Sequence, residues 1–335
     1  MANRTRVATA FRYVAGSRSQ RYTRPMNRPE DWRSLYPFAS HHLSLDGHRY
    51  HYVDEGAGQP LLFVHGNPTW SFYWRQLISG LSDQHRTIAV DHLGCGLSDK
   101  PQRYAYTLAQ HIENLVALVE RLELHDATLL VHDWGGAIGL GTALRLPDRF
   151  ARIVLFNTGA FPPPFVPLRI RMCRTPLLGT WAMRGANVFA RAALTMATEK
   201  PERMTPAVRA GLLAPYDNWR NRVAIDRFVH DIPLTRRHPT WQLLETIEAG
   251  LPSLANRPTQ MIWGMRDWCF RPSCLERLLQ SFPEAEVHRL EDAGHYVIED
   301  AAERIVPLVQ AFLARHPVGQ TDSSSAAKSN RATNP

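Results

Sequence analysis

Polar and apolar residues alternate along two short stretches, His41–Leu45 and Arg49–Asp54, on either side of Asp46-Gly47. Alternation flanking an Asp-Gly turn predicts an antiparallel hairpin. The pattern then changes to short continuous apolar runs at Leu61–Val64, Thr87–Val90, Ala127–Val131, Ile153–Phe156, Gln260–Trp263 and Glu286–Leu290. Runs of this kind are typical of parallel strands buried on both faces. Helical periodicity separates most of them, at Thr69–Gly80, Leu108–Leu122 and Gly135–Leu146, with Leu275–Gln280 and Ala302–Ala314 following later. Strands alternating with helices predict an α/β fold with a mostly parallel sheet. No repeat of about 20–50 residues is present.

One interval breaks the alternation. About a hundred residues separate Phe156 from Gln260, with Pro162-Pro163-Pro164 near the entry and Ile232-Pro233 near the exit. So long a gap inside a compact fold is usually a functional insertion. Residues 158–240 are expected to form a helical cap over the C-terminal edge of the sheet, where ligands bind in open α/β folds. The chain then divides into a basic arm (1–30), a first core part (31–157), the cap (158–240), a second core part (241–315) and a tail (316–335).

Charge refines this division. The chain has 335 residues and a formal net charge of +8. Residues 1–29 carry seven arginines and no acid, and residues 316–335 carry a net +1, so the part between is neutral overall. Within it, residues 158–240 hold thirteen Arg and Lys against five acids. The arm (Arg4, Arg6, Arg12, Arg18, Arg21, Arg24, Arg28) reads as a solvated tail. An acidic membrane surface or a partner is the alternative, and its composition also resembles a transit peptide. No nucleic-acid motif accompanies it, so nucleic acid is not an expected partner. The Ser/Ala/Asn-rich tail reads as disordered. No apolar run is long enough to span a bilayer and no secretory signal is evident. Cys95, Cys173, Cys269 and Cys274 form neither a CxxC pair nor a metal-ligand spacing, which suggests reduced thiols, a cytoplasmic protein and no structural metal. No motif asks for a cofactor.

The chemistry centres on Leu129-Leu130-Val131-His132-Asp133-Trp134-Gly135-Gly136-Ala137. A strand enters a tight turn among small residues and a helix leaves it, the setting of a nucleophile elbow. The nucleophile position holds Asp. A carboxylate, with an unperturbed pKa of about 4, needs no base to be nucleophilic at neutral pH. It suits attack on an sp³ carbon to give a covalent ester. The alternative is an Asp that only caps helix 135–146.

His295, in Glu291-Asp292-Ala293-Gly294-His295-Tyr296, follows the last predicted strand and fits a general base in the chain order nucleophile, acid, histidine. Asp267, in Gly264-Met265-Arg266-Asp267, ends the preceding strand and fits the acid that orients the imidazole. The other slot for the acid, after Ile153–Phe156, holds Asn157, which carries no charge. Asp292 is a rival by proximity but reads as a surface acid. In the loop His65-Gly66-Asn67-Pro68, the backbone N–H of Asn67 would join that of Trp134 in an oxyanion hole, and His65 reads as structural. The Asn67 amide and the Trp134 indole could also hold a leaving anion such as halide; taken singly, each also reads as a turn or packing residue.

On these residues the chain resembles the haloalkane dehalogenases. HGNPTWSFYWR (65–75), DHLGCGLSDKP (91–101), VHDWGGAIG (131–139), GMRD (264–267) and DAGHYVIED (292–300) look like that family's blocks, in the same order, over roughly residues 35–315. The resemblance implies a nucleophile at Asp133, a base at His295, an acid at Asp267 and halide contacts at Asn67 and Trp134. It also implies the α/β-hydrolase fold, a mostly parallel eight-stranded sheet with a helical cap inserted over 158–240. The implied reaction is hydrolysis of a small apolar haloalkane by water through an aspartyl ester, releasing halide ion.

The same blocks resemble a sister group, the β-lactone decarboxylases of long-chain olefin biosynthesis, which is the alternative. The paired halide donors favour the first reading. The arm and basic cap favour the second, since they suit a membrane surface, a homo-oligomer or a multi-enzyme complex. Epoxide hydrolases share the Asp nucleophile but use two cap tyrosines, and residues 158–240 contain only Tyr216. They also usually carry Gly where Val131 stands. A serine esterase is disfavoured because position 133 is not Ser. A non-catalytic receptor of the same fold would be expected to lack a triad member.

Overall fold

The computed structural model describes residues 31–318. The arm and most of the tail, with the readings placed on them, lie outside the described residues.

Eight strands form one sheet in the order β1-β2-β4-β3-β5-β6-β7-β8. They are β1 (Ser40–Leu45), β2 (His48–Glu55), β3 (Pro60–Val64), β4 (Arg86–Val90), β5 (Ala127–Asp133), β6 (Phe150–Thr158), β7 (Thr259–Gly264) and β8 (Glu286–Leu290). The hairpin β1–β2 pairs antiparallel and joins β4 antiparallel; all other pairings are parallel. This is the predicted α/β-hydrolase architecture. All seven residues of β5 are buried, which explains its unbroken apolar run. The chain leaves β3 for β4 on one side and later returns to β5 on the other. Loops at such a reversal diverge and leave a crevice at the carboxyl ends of the strands.

The helices are α1 (Arg75–Leu81), α2 (Leu108–Arg121), α3 (Trp134–Arg145), α4 (Leu168–Cys173), α5 (Leu178–Thr180), α6 (Val188–Met196), α7 (Pro206–Leu213), α8 (Val223–Asp231), α9 (Pro239–Gly250), α10 (Pro272–Ser281) and α11 (Val297–Arg315). One face of the sheet is covered by α1 and α11, through Leu77, Ile78, Ile305 and Phe312. The other is covered by α2, α3, α9 and α10, through Ile112, Leu115, Leu140, Ile247 and Leu275. Between β6 and α9 the described chain is helical or irregular, and α9 packs on α3 as part of the core layer.

Three elements depart from the sequence pattern. The helix expected over Thr69–Gly80 is a 3-10 turn at Ser71–Trp74 followed by α1. The backbone N–H of Ser71 is diverted to Asp91 Oδ1, 2.7 Å away, so a regular helix starts only after Trp74. Strand β6 runs past its apolar stretch to include buried Asn157 and Thr158. Helix α11 begins five residues before the periodic Ala302–Ala314 stretch, with non-helical geometry at Ala301 marking the join.

Candidate active site

Asp133 ends β5 and immediately precedes α3, with φ 54° and ψ −128°. Left-handed backbone is costly for a non-glycine residue and persists only where its surroundings enforce it. Here Thr158 Oγ1 donates to the Asp133 carbonyl at 2.5 Å. Glycines let neighbouring chain close in: a Cβ on Gly66 would lie 2.0 Å from Asp133 Oδ1, and one on Gly135 would lie 2.0 Å from the Val64 carbonyl. The Asp133 side chain makes no capping bond to α3, so the capping alternative fails. Its carboxylate turns into a cavity instead.

The backbone N–H of Asn67 donates to Asp133 Oδ1 at 2.8 Å, and that of Trp134 also favours the charged carboxylate. Oδ2 faces His295 Nε2 at 3.6 Å. The far nitrogen, Nδ1, is 2.8 Å from Asp267 Oδ2. The structure therefore brings Asp133, His295, Asp267 and the Asn67 and Trp134 amides together. Burial pushes the Asp133 carboxyl above the usual carboxylate range, opposed by His295 and by the two N–H donors. Burial would lower His295, but Asp267 and Asp133 outweigh it and hold the imidazole above its ordinary value.

Asp267 is fully enclosed by donors. Its Oδ1 accepts from the backbone of Cys269 (2.6 Å) and Phe270 (3.1 Å), and its Oδ2 accepts from Asn157 Nδ2 (3.0 Å). Asn157 also exchanges bonds with the backbone of Gly264, accepting at 2.8 Å and donating at 3.0 Å. Sequence reasoning treated Asn157 only as an uncharged acid slot and missed this bridge. It also missed His132, whose Nε2 donates to the His295 carbonyl at 2.8 Å, and Phe270, whose ring stacks on the imidazole at 5.7 Å. The immediate neighbourhood of Asp133 in sequence was the only signal for His132. Asp292 lies apart, paired with Lys200 and Arg304 at the surface.

The cavity measures about 340 Å³ and is lined mainly by apolar side chains, among them Phe161, Phe165, Ile170, Phe189, Val229 and Leu244. Asn67 and Trp134 line it too. The Asn67 amide already donates to the Ile225 carbonyl at 3.2 Å, which leaves one amide hydrogen for a ligand. Tyr216 does not line the cavity; its hydroxyl donates to the Thr69 carbonyl at 3.2 Å. His65 fixes its loop, donating from Nδ1 to Gly66 O at 2.6 Å and accepting the His92 N–H at 3.1 Å. Cys173, Cys269 and Cys274 also line the cavity. Burial pushes the Cys269 thiol well up and that of Cys274 up to about 11, so these thiols stay protonated and weakly nucleophilic. Among the described residues no group of three His, Cys, Asp or Glu could hold a metal ion.

Residues 59–302 match the family model described as alpha/beta hydrolase fold. The chain belongs to the α/β-hydrolase family. Within it, this chain is 43% identical over 286 residues to a cis-3-alkyl-4-alkyloxetan-2-one decarboxylase of Shewanella oneidensis, covering 84% of this chain and 90% of the relative. It is 45% identical over 280 residues to the like-named protein of Xanthomonas campestris pv. campestris, covering 80% and 93%. Haloalkane dehalogenase 2 of Mycobacterium tuberculosis is 34% identical over 279 residues, covering 82% and 95%. Among solved structures, the haloalkane dehalogenase DatA of Agrobacterium tumefaciens C58 superposes with a TM-score of 0.76 at 26% identity, covering 83% and 97%. The chain is thus similar to both groups of enzymes its motifs resemble.

Proposed function

We propose that this chain is a decarboxylase of cis-3,4-dialkyl β-lactones, releasing an alkene and CO₂. The supporting observation is the identity to two relatives so named, 43% and 45%, against 34% to the dehalogenase. This reverses the order of readings taken from the sequence alone, where haloalkane hydrolysis came first. The cavity suits the proposal, because an apolar chamber with one carboxylate at its base accepts a substrate made of alkyl chains around a small polar ring.

The steps balance without water. Asp133 Oδ2 attacks the sp³ ring carbon bonded to the lactone oxygen. That C–O bond breaks and its electron pair goes to the departing carboxylate, leaving an alkyl ester on Asp133 with a carboxylate on the adjacent carbon. The bond to that carboxylate then cleaves. Its electrons form the C=C bond, CO₂ leaves, and the Asp133 carboxylate is expelled unchanged. The Asn67 backbone donor holds Oδ1, which leaves Oδ2 for the ring. An imidazolium at His295, held by Asp267, stabilises Asp133 as it departs.

A second reading, haloalkane hydrolysis, is favoured by one observation: Asn67 and Trp134 both line the cavity beside Asp133. The test is a parallel assay with a cis-3,4-dialkyl β-lactone and with 1-bromobutane. Alkene from the lactone with little free bromide is expected. Rapid bromide release with no alkene would overturn the proposal.

A further inference from the structure

Residues 159–198 contain five arginines and no acid. On the outer side of this segment stand large apolar residues that folding leaves in water. Leu168 is 71% exposed, Met172 62%, Leu177 86%, Leu178 76% and Trp181 63%. They are gathered in space, because α4 packs on α5 and α5 runs into the turn at Trp181–Gly185. Leu177, the most exposed, has a left-handed φ of 62°. Isolated exposed apolar residues are ordinary, but a contiguous group is the mark of a docking surface.

Its surroundings identify the occupant. Arg171 and Arg191 are exposed and, among the described residues, their guanidinium groups make no hydrogen bond or ion pair. Arg169 lies over the Trp268 ring at 4.1 Å. Bulky apolar groups including a Trp, in a segment with two unpaired arginines and no acid of its own, fit the boundary between the headgroups and acyl chains of an anionic bilayer. The cavity opens on the same side. Of its lining residues, Pro164, Arg169, Val188 and Met196 are the exposed ones. Two of these are in α6, and Arg169 is in α4, adjacent to Leu168.

We propose that the α4–α5 face of the cap docks on an anionic lipid surface, with Leu177 and Trp181 inserted and the cavity mouth turned to the bilayer. A long-chain substrate then passes from lipid to the Asp133 chamber without crossing water. The substrate part rests on the function proposed above; the docking does not.

The experiment is co-sedimentation of the full chain with vesicles of phosphatidylcholine alone and of phosphatidylcholine with phosphatidylglycerol. Binding to the mixed vesicles is expected, with weak binding to the neutral ones. The double variant Leu177→Asn/Trp181→Ser should bind at least about tenfold more weakly. Arg171→Gln/Arg191→Gln should lose about fivefold for each arginine. None of these side chains is buried, so unchanged melting temperatures are expected in both variants. No binding by the natural chain would overturn the proposal. So would undiminished binding by both variants, since the N-terminal arginines would then suffice. Self-association of the natural chain that disappears in Leu177→Asn/Trp181→Ser, without vesicle binding, would assign the face to a second copy instead. None of these readouts requires turnover, so they stand or fall apart from the chemistry at Asp133.

Discussion

Asn157 and Asp267 lie 110 residues apart in the chain, and a 3.0 Å bond from the amide of the first reaches Oδ2 of the second. The same carboxylate oxygen meets His295 Nδ1, so Asn157 fixes the acid against the imidazole without touching the cavity. Asn157→Ala removes one donor from a buried charge and two bonds to Gly264. A hydrogen bond to a charged group contributes about 1.5–3 kcal/mol. Turnover by Asn157→Ala should therefore fall by about tenfold or more, with KM little changed. Steady-state kinetics decide this. A loss confined to KM would show that Asn157 acts on the cavity and not on the imidazole.

The meeting of Asp133, Asp267 and His295 is legible in the sequence because each stands where an apolar strand run stops, and parallel topology gathers those ends at one edge. Asn157 is not legible. Its apolar run ends at Phe156, and only the structure shows the strand continuing two residues further with buried polar side chains. The 3-10 turn at Ser71–Trp74 is hidden for a similar reason: it depends on Asp91, twenty residues away, capturing a backbone N–H. The arginine content of residues 158–240 can be counted from sequence, but which apolar residues face water cannot. Helices α4 and α5 have only six and three residues, too few for periodicity to name a buried side.

Loss of the imidazole separates the two reactions. An aspartyl ester from a haloalkane waits for water, and His295 is placed to activate it. The ester from a β-lactone carries its own leaving CO₂. His295→Gln should accumulate a covalent alkyl adduct on the peptide holding Asp133 when given 1-bromobutane. Given the lactone it should still form alkene, more slowly. In ¹⁸O-labelled water the natural chain should leave Asp133 unlabelled after lactone turnover. Label in that carboxylate, read by peptide mass, would show that hydrolysis takes place.

Trp134→Phe keeps an aromatic ring beside Phe228, 5.6 Å from it in the present structure, and removes the indole N–H. The backbone N–H groups of Asn67 and Trp134 beside the Asp133 carboxylate are untouched. Bromide release should drop by at least about tenfold, the usual cost of losing a donor to a charged group. Alkene formation from the lactone should change by less. Equal losses in the two assays would remove the leaving-halide role from Trp134.

The buried ion pair of Arg75 and Glu299 joins α1 to the first turn of α11, just beyond His295. Its two bonds measure 2.6 and 2.7 Å, and both side chains are almost wholly buried. Removing one partner strands a charge in the interior. Arg75→Met should cost about 3–5 kcal/mol, read as a fall in the urea midpoint. Adding Glu299→Gln should return part of that loss, because the stranded charge goes with it. If the double variant is no more stable than Arg75→Met, the cost is lost packing of the arginine stem and not an unpaired charge.

The pH dependence should run in opposite directions for the two substrates. Burial tends to lower His295, but Asp267 and Asp133 hold it above its ordinary range, so the imidazolium persists to higher pH than in a free histidine. Below that raised pKa the ring is charged, and above it neutral. Ester hydrolysis needs the neutral ring, so bromide release should fall as pH drops through this pKa. Expulsion of Asp133 after loss of CO₂ is helped by the charged ring, so alkene formation should hold through the same drop and decline above it. Its acid limit comes later, when Asp133 itself protonates. Burial raises that group, so the limit lies above the roughly pH 4 of a free aspartate. Profiles of kcat for both substrates on one preparation make the comparison. Parallel acid limbs would mean that His295 does the same work in both reactions, and the water-free route proposed for the lactone would be wrong.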